Sequence, residues 1–499
     1  MPMMSRERFL EEYKYEVELD WGYVNGSPAC WADVEGKRGH RFWGAEDGNV
    51  ALPRPEDETK RHNAISAVSL DGLFIAAANG SDVAVYHVQS RELRAKFRGP
   101  LEPCRRLLFL PLSEGGDYRL VTENSGVGGR EGSILFWKLD SQGREHSTVQ
   151  ALNCTALASD SLNAIKPALA HSHSLAADSP LYDQVMWDYI SALKVLNSKV
   201  RTRELRSTLG HIPSVTTSTP RGGLVNNDGT LLIYLKNNDT TQHGLRPAPD
   251  LPHIVIYDLR TGTEAQALGG HTDKIMWASF SPNGKTIASA SWDEHFRLWD
   301  TTTGSCKHVI GPTGGQNWGG SWSPNSKHVL FSGMGTTEEA NRRGPVLKVY
   351  DAEAGTEVAR FEHEGLKSRV MDIDWCPTED VIAIGSGADI WIWKPFDNTI
   401  ICNFRIKVDD HMHRNFAAVR SLCWSDDGKR LAAATGGDNL EVWDRVKNVK
   451  WRFERPHGLV VGSYTSDFHF IGDNTLLSVD GDGVMRYWDL GSTEQGTVQ

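Results

Sequence analysis

The sequence feature that most constrains this chain is the stretch 270–300, in which short apolar segments alternate with tight turns. The segments span residues 275–280, 286–291 and 295–299, and Ser-Pro-Asn-Gly at 281–284 forms the first turn. Short apolar runs separated by Gly, Asn, Asp and Pro are typical of antiparallel strands joined by turns. The stretch therefore predicts three strands of one antiparallel sheet.

The same unit recurs along the chain, and an aromatic residue in the third segment marks each copy. Successive marker residues are 42 to 51 residues apart, except for one gap of 120. The marker residues are Tyr86, Trp137, Tyr257, Trp299, Tyr350, Trp393, Trp443 and Trp488. This spacing predicts a repeat architecture of eight units, with an insertion in the long gap.

From its Gly-His start to its Trp-Asp end, the stretch 270–300 resembles one WD40 repeat. The resemblance implies an all-β fold, a WD40-type β-propeller of eight repeat units, with seven blades as the alternative. Blades of this family are about 40–45 residues long, which fits the spacing once longer loops are allowed. Because only residues 491–499 follow the last unit, part of residues 29–52 is expected to supply the strand that closes the ring.

The domain organisation follows from the repeats and from what interrupts them. The parts are 1–60 (a non-repeat N-terminal segment, part of which closes the last blade), 61–150 (units one and two), 151–211 (a helical insertion), 212–490 (units three to eight) and 491–499 (a tail). The helix is predicted from a Ser179 cap before Pro180 and from apolar residues at steps of three and four as far as Val200. Gly210 is expected to end it.

Composition and charge argue against several classes of protein. The seven cysteines are odd in number and no Cys-x-x-Cys occurs, which argues against a disulfide framework or a structural zinc site. The net charge of −11 opposes general nucleic-acid binding, which needs a basic face. No stretch approaches the ~18 apolar residues of a membrane helix, and residues 1–20 lack the apolar core of a signal peptide. We therefore expect an intracellular protein of the cytoplasm or nucleus, without membrane insertion.

The WD40 resemblance assigns a structural role to four residues of the most regular unit. In this family such residues form a hydrogen-bonded set that locks the blade, and here they are His271, Ser289, Asp293 and Trp299. A weaker second set is His457, Ser478, Asp482 and Trp488. Ser, His and Asp also make up the catalytic triad of hydrolases, but no Gly-x-Ser-x-Gly elbow or oxyanion loop accompanies them here. The structural interpretation is therefore preferred.

The remaining candidates for chemistry are weak. Asp409, His411 and His413 carry groups that bind divalent ions, but two His residues in a polar loop are usually solvated. We therefore expect no metal ion, no cofactor and no catalytic residue.

Five residues are expected to contact a partner. Alignment of the units on their Ser-Pro turns places four of them near the starts of the inner strands, which in this family approach the central opening of one face. The fifth lies in the inner turn of unit four. The five residues are Met276, Trp292, Trp318, Met371 and Arg420. Aromatic, Met and Arg side chains are enriched at the cores of interfaces.

Two main functions remain open from the sequence, beside a third, the recognition of modified histone or other nuclear peptides, which needs an acidic or aromatic pocket. The first is a non-catalytic interaction scaffold or adaptor, which binds protein or peptide partners through a propeller face. The alternative is an enzyme or small-molecule binder that uses the central channel of the propeller. A deep polar cavity with strongly shifted pKa values would favour the alternative.

Overall fold

In the computed structural model, the described residues are 40–53, 64–80, 82–98, 104–110, 116–124, 133–145, 210–213, 223–238, 251–337, 342–366, 369–405, 419–435, 440–447, 449–453 and 467–491. Within these segments every regular element is a β-strand. A helix long and apolar enough to cross a membrane is not found in them.

The strands are short and follow one another along the chain. They are β1 (His40–Ala51), β2 (Ala64–Val68), β3 (Phe74–Asn79), β4 (Asp82–His87), β5 (Leu93–Arg98), β6 (Cys104–Leu110), β7 (Tyr118–Asn124), β8 (Ser133–Leu139), β9 (Gly210–Pro213), β10 (Leu231–Lys236), β11 (His253–Asp258), β12 (Thr263–Gly269), β13 (Ile275–Phe280), β14 (Thr286–Ser291), β15 (Phe296–Asp300), β16 (Cys306–Ile310), β17 (Asn317–Trp322), β18 (His328–Thr337), β19 (Arg342–Asp351), β20 (Glu357–Phe361), β21 (Val370–Trp375), β22 (Ile382–Ser386), β23 (Asp389–Lys394), β24 (Thr399–Arg405), β25 (Val419–Trp424), β26 (Arg430–Thr435), β27 (Leu440–Asp444), β28 (Val449–Phe453), β29 (Asp467–Ile471), β30 (Thr475–Val479) and β31 (Val484–Asp489).

Consecutive strands pair antiparallel into eight blades. Blade one is β2–β5, blade two β6–β9, blade three β10–β12, blade four β13–β16, blade five β17–β20, blade six β21–β24, blade seven β25–β28 and blade eight β29–β31 with β1. Seven of the eight marker aromatics lie in the third strand of their blade, and the eighth, Tyr257, lies in β11, the second of the three strands of blade three. The prediction of an all-β propeller of eight units is confirmed.

Blade three has a shorter inner segment than the others. Ile233 of β10 donates its backbone N–H to Leu224 at 2.8 Å, and Val225 forms an isolated bridge with Leu232. These residues occupy the inner position that a full strand takes elsewhere.

A repeated serine turn joins the first two strands of several blades. In blade four, Ser281 Oγ donates to Asn283 Oδ1 at 2.8 Å and accepts the backbone N–H of Thr286 at 3.0 Å. Gly284 completes the turn with φ +71, a conformation that glycine adopts without steric cost. The same side-chain contact occurs at 2.6, 2.8 and 2.7 Å between Ser69 and Asp71, Ser323 and Asn325, and Ser425 and Asp427.

The apolar core lies between neighbouring blades. Phe296 of blade four stacks on Phe331 of blade five with ring centroids 4.3 Å apart. A further cluster joins Met485 and Tyr487 of blade eight to Ile75 of blade one, so the packing continues across the ends of the repeat array. Burial of these faces closes the sheets into a ring.

Strand β1 belongs to two blades. Residues His40 to Gly44 pair parallel with β28, the outer strand of blade seven. Residues Ala45 to Ala51 pair antiparallel with β31 and so form the outer strand of blade eight. Blades seven and eight are thereby joined in one eight-stranded sheet.

The predicted helical insertion, 151–211, lies outside the described residues except for Gly210 and His211. These two residues lie in β9, so the prediction that Gly210 ends a helix is wrong. Gly210 pairs with Phe136 and His211 with Leu135 of β8. The physical reason is that β8 would otherwise present an open edge, and pairing with β9 satisfies its backbone groups.

Candidate functional site

The polar set of blade four is buried and fully connected. Trp299 Nε1 donates to Ser289 Oγ at 2.9 Å, and Ser289 Oγ lies 2.8 Å from His271 Nε2. His271 Nδ1 lies 2.8 Å from Asp293 Oδ2. The structure thus brings together the four residues that the WD40 resemblance had singled out.

Burial decides the protonation of this set. It lowers the pKa of His271, and the hydrogen bond and negative charge of Asp293 oppose the shift without cancelling it. Although burial raises the pKa of Asp293, its hydrogen bond to His271 holds the value below the ordinary one. A neutral imidazole then accepts from Ser289 and donates to Asp293.

This arrangement has the residue types of a hydrolase triad but leaves no room for a substrate. Ser289 is 0% exposed and His271 is 1% exposed. The Ser289 oxygen is already occupied by the indole N–H of Trp299. The set connects β14 and β15 to the loop before β13, so its role is to stabilise the blade.

The polar set of blade eight includes two residues that were not predicted, Asp480 and Arg486. Trp488 Nε1 donates to Ser478 Oγ at 2.9 Å, but the carboxylate beside Ser478 is Asp480, at 3.2 Å. The side chain of Arg486, only 3% exposed, pairs with both Asp480 and Asp482. The buried guanidinium therefore binds Asp482. The predicted member that would connect Asp482 to Ser478, His457, lies outside the described residues, so that set stays a prediction.

The predicted partner-binding residues occupy one repeated position. Met276, Trp318, Met371 and Arg420 are the second residues of β13, β17, β21 and β25. At each of them the register between the inner and second strands shifts by one residue. Such a β-bulge interrupts the alternation of side chains between the two faces of the sheet, so the bulged side chain points in a different direction from that of a regular strand residue.

A fifth inner-strand bulge, at Arg105 of β6, was not predicted. Strand β6 begins at Cys104, so Arg105 has the same second position in its strand as the other four residues.

The end of the ring where the inner strands begin is here named the upper face. Because successive strands run antiparallel, the turns between second and third strands lie at this same end. Trp292 lies in the β14–β15 turn, and its indole packs on Trp318 in a T-shaped contact, with centroids 5.4 Å apart and an interplanar angle of 68°. The two predicted tryptophans therefore form one aromatic surface.

Cations flank this aromatic pair. The guanidinium carbon of Arg369 lies 3.5 Å from the ring centroid of Trp318, and Lys274 Nζ lies 5.5 Å from that of Trp292. Loss of water around the guanidinium, together with the like charge of Arg420, lowers the pKa of Arg369. Arg369, directly before β21, was not predicted because it precedes the aligned bulge position.

Trp318 and Arg369, together with Met276 and Met371, line a cavity of about 400 Å³. Its wall continues down the inner strands past Gly319 and Gly320 to Asp372 and Asp374. The two carboxylates accept the backbone N–H groups of Leu422 and Trp424, both at 2.7 Å. They therefore tie blade six to blade seven. The mouth cluster is defined as Met276, Trp292, Trp318, Arg369, Met371 and Arg420.

The weak metal-ligand candidates, Asp409, His411 and His413, lie outside the described residues. In the described segments, no three His, Cys, Asp or Glu side chains converge in a way that could hold a metal ion.

Two family models match parts of the chain. The model described as "WD domain, G-beta repeat" matches residues 262–300, which include the buried polar set of blade four. The model of the "Anaphase-promoting complex subunit 4 WD40 domain" matches residues 373–451, in blades six and seven. The chain is a WD40-repeat β-propeller. Proteins of this family are generally non-catalytic scaffolds.

Individual relatives of this WD40 propeller match over part of its length. The "WD repeat-containing protein 26 homolog" of Arabidopsis thaliana is 26% identical over 230 residues, covering 45% of this chain and 35% of the relative. "Actin-interacting protein 1" of Drosophila melanogaster is 25% identical over 256 residues, covering 48% and 37%. The matched region is thus little more than a third of each relative.

A solved structure is similar in fold alone. The crystal structure of the computationally designed Ika8 protein superposes with a TM-score of 0.51 at 12% identity, covering 88% of this chain and all of the designed protein.

Proposed function

We propose that this WD40 propeller is a non-catalytic scaffold that binds a protein or peptide partner through the mouth cluster of its upper face. The observation that carries the proposal is the recurrence of a β-bulge at one position of four adjacent inner strands. It places Met276, Trp318, Met371 and Arg420 at the same position of their strands, and the first three line one cavity. All four side chains are partly exposed.

The composition of the mouth cluster supports binding over packing. Aromatic, Met and Arg side chains dominate the energetics of protein interfaces. The side chains of Trp292 and Trp318 are both partly exposed, so their rings are accessible to a partner.

The non-catalytic part of the proposal rests on the buried Ser289, His271 and Asp293 set, which no substrate reaches. One matched relative is named an actin-interacting protein, which supports protein binding as the kind of activity. We further propose an intracellular location, in the cytoplasm or nucleus.

The test is affinity purification of the tagged full chain from its native cells, with recovered proteins quantified by mass spectrometry. Trp318→Ala removes the centre of the aromatic surface, and we expect the specifically recovered proteins to fall at least tenfold. Hot-spot tryptophans typically contribute ~2 kcal/mol or more, which exceeds a tenfold change in affinity.

The matched control is Phe396→Ala. Phe396 is an aromatic residue with 44% exposure, in the β23–β24 turn at the opposite end of the ring. Both variants must melt as wild type does. Recovery of the same proteins by wild type and Trp318→Ala, or loss of them with Phe396→Ala alone, would contradict the upper-face proposal.

The cavity of about 400 Å³ favours a second candidate, a small-molecule site in the central channel. Its volume lies within the range of ligand pockets, roughly 300–1,000 Å³. A small molecule that raises the melting temperature of wild type, but not of Met371→Trp, would support this candidate.

A further inference from the structure

We propose that the mouth cluster receives an aromatic side chain of its partner, which stacks on the exposed side of the Arg369 guanidinium and contacts the two methionines of the cavity. The inference rests on the proposed function and names the chemistry of the partner segment.

The first argument is the placement of the Arg369 side chain. Its guanidinium carbon lies 3.5 Å from the Trp318 ring centroid, so the indole covers one flat side of the group. Arg369 is nevertheless an exposed residue, and it lines the cavity. Among the described residues, Trp318 supplies the one ring contact of this guanidinium, so its other flat side can take a second ring.

The second argument is the complementarity of charge between the guanidinium and a ring. The faces of an aromatic ring are the negative part of its quadrupole, and they attract a cation placed over them. The guanidinium is planar, so it can stack flat on such a face. An aromatic side chain of the partner would therefore form a sandwich in which Arg369 lies between it and Trp318.

The same geometry argues against a cationic side chain, such as a modified lysine, as the group that is bound. Arg369 already lies on the Trp318 ring, and Lys274 Nζ lies 5.5 Å from the Trp292 ring centroid. Each tryptophan of the aromatic surface thus has a cation beside it. A further positive charge would be repelled by both.

The third argument is the pair of methionines on either side of Trp318. Met276 of blade four and Met371 of blade six both line the cavity, and both are partly exposed. A thioether makes favourable contacts with an aromatic ring, and its unbranched side chain adapts to the shape of the ring. An aliphatic side chain would gain from burial alone, whereas an aromatic one also gains from the sulfur atoms and the guanidinium.

The fourth argument is the space available. The cavity of about 400 Å³ continues past Gly319 and Gly320, which give its blade-five wall no side chains. A large side chain that enters there is removed from water, which stabilises the complex. The cavity therefore has room for a ring held between Arg369 and the methionines.

The test uses a displayed library of short random peptides, selected on the full chain. We expect the enriched sequences to share a Phe, Tyr or Trp residue. Synthetic copies carry phenylalanine, cyclohexylalanine or leucine at that position, and fluorescence anisotropy measures their affinities. Cyclohexylalanine keeps the size and apolar character of phenylalanine but has no π system. We expect it and leucine to bind at least about fivefold more weakly than phenylalanine, because neither can stack on the guanidinium.

The protein variants locate the effect. Arg369→Leu removes the guanidinium, and we expect it to bind the phenylalanine and cyclohexylalanine peptides within about twofold of each other, as coupled groups do in a double-mutant cycle. The matched control is Arg445→Leu, the same change at another arginine–tryptophan contact. There the guanidinium carbon lies 5.6 Å from the Trp424 ring centroid, at the opposite face of the ring of blades. We expect the control to keep the preference for phenylalanine. If Arg369→Leu lowers the melting temperature, the three peptides on wild type still decide whether the π system is bound.

The outcomes separate the two proposals. Peptides that need Trp318 but bind equally well with cyclohexylalanine, or that keep their full preference on Arg369→Leu, would overturn the aromatic anchor and leave the interaction face intact. The same holds if the enriched sequences share an acidic or basic residue but no aromatic one. Peptides whose binding is unaffected by Trp318→Ala would overturn the face as well. A selection that enriches no sequence counts against both.

Discussion

At the scale of single residues, His271 links the stability of blade four to pH. Its imidazole is 1% exposed, and burial lowers its pKa from the ~6.5 of a solvated histidine. The titratable neighbours that face it are Asp293, Arg297 and His295. The folded state therefore keeps His271 neutral at pH values where the unfolded chain is already protonated.

The sign of the pH effect follows from this difference. Below about pH 6.5 the unfolded state binds a proton at His271 that the folded state does not, so the free energy of unfolding falls as the pH decreases. One such group changes the free energy of unfolding by at most ~1.4 kcal/mol per pH unit. We expect wild type to lose more stability between about pH 7.5 and about pH 5.5 than His271→Gln does, as measured by urea unfolding at both pH values.

The variant is itself expected to be less stable at the higher pH, because Ser289 and Asp293 lose their hydrogen-bond partner. The prediction therefore concerns the difference between the two pH values in each protein. Equal losses in wild type and His271→Gln would show that this imidazole is protonated in the folded state.

The residues of the site were predictable to different degrees. The four bulge residues follow from counting back from the turn that ends each inner strand, which begins Ser-Pro in blades four and five, Cys-Pro in blade six and Ser-Asp in blade seven. Arg369 does not, because its place on Trp318 depends on packing between blades five and six. The buried Arg486 that binds Asp482 was not predicted, because the pattern of one strand does not reveal it.

At the scale of elements, two turn glycines allow the cost of backbone strain to be measured separately from the cost of displacing a packed neighbour. Gly72 and Gly143 lie in turns with nearly the same φ, +72 and +73. A Cβ atom on Gly72 would meet nothing within 4 Å, whereas one on Gly143 would lie 2.4 Å from Cε1 of Phe74. Phe74 belongs to the neighbouring blade and is only 3% exposed.

We expect Gly72→Ala to lower the free energy of unfolding by ~1 kcal/mol, the cost of a left-handed conformation for a residue with a Cβ. Gly143→Ala carries that cost and also displaces a buried ring, so we expect a further ~1–3 kcal/mol. Urea unfolding of both variants measures the difference. Equal losses would mean that the turn of blade two does not pack tightly on blade one.

The strands and turns were the most predictable elements. Each unit repeats apolar strands and an aromatic marker residue, and several units share a turn closed by a serine side chain. Strand β9 was not predicted, because its four residues follow a long insertion and gain their conformation only by pairing with β8. The parallel pairing of β1 with β28 has no local signal, since it joins residues some four hundred positions apart.

At the scale of the whole molecule, β1 connects three blades. Besides its pairing with β28 and β31, Glu46 lies 3.9 Å from the buried Arg486 of blade eight. Asp47 pairs at 2.8 Å with Arg91 of blade one, whose guanidinium lies over the Tyr487 ring. The strand therefore covers two sheet edges and spans the junction where the repeat array begins and ends.

This arrangement predicts that ring closure depends on residues 40–51. Two shortened chains isolate the effect, one beginning at residue 40 and one beginning at residue 52, because they differ only by β1. We expect the second to melt at least ~5 °C below the first, since it loses two strand pairings and the Asp47–Arg91 ion pair. The uncovered edges of β28 and β31 can pair with other molecules, so we also expect it to elute as larger species in size-exclusion chromatography. Identical melting and elution of the two chains would show that blades seven and eight hold together through their inter-blade core alone, in which Phe453 packs on Trp488 at 4.9 Å.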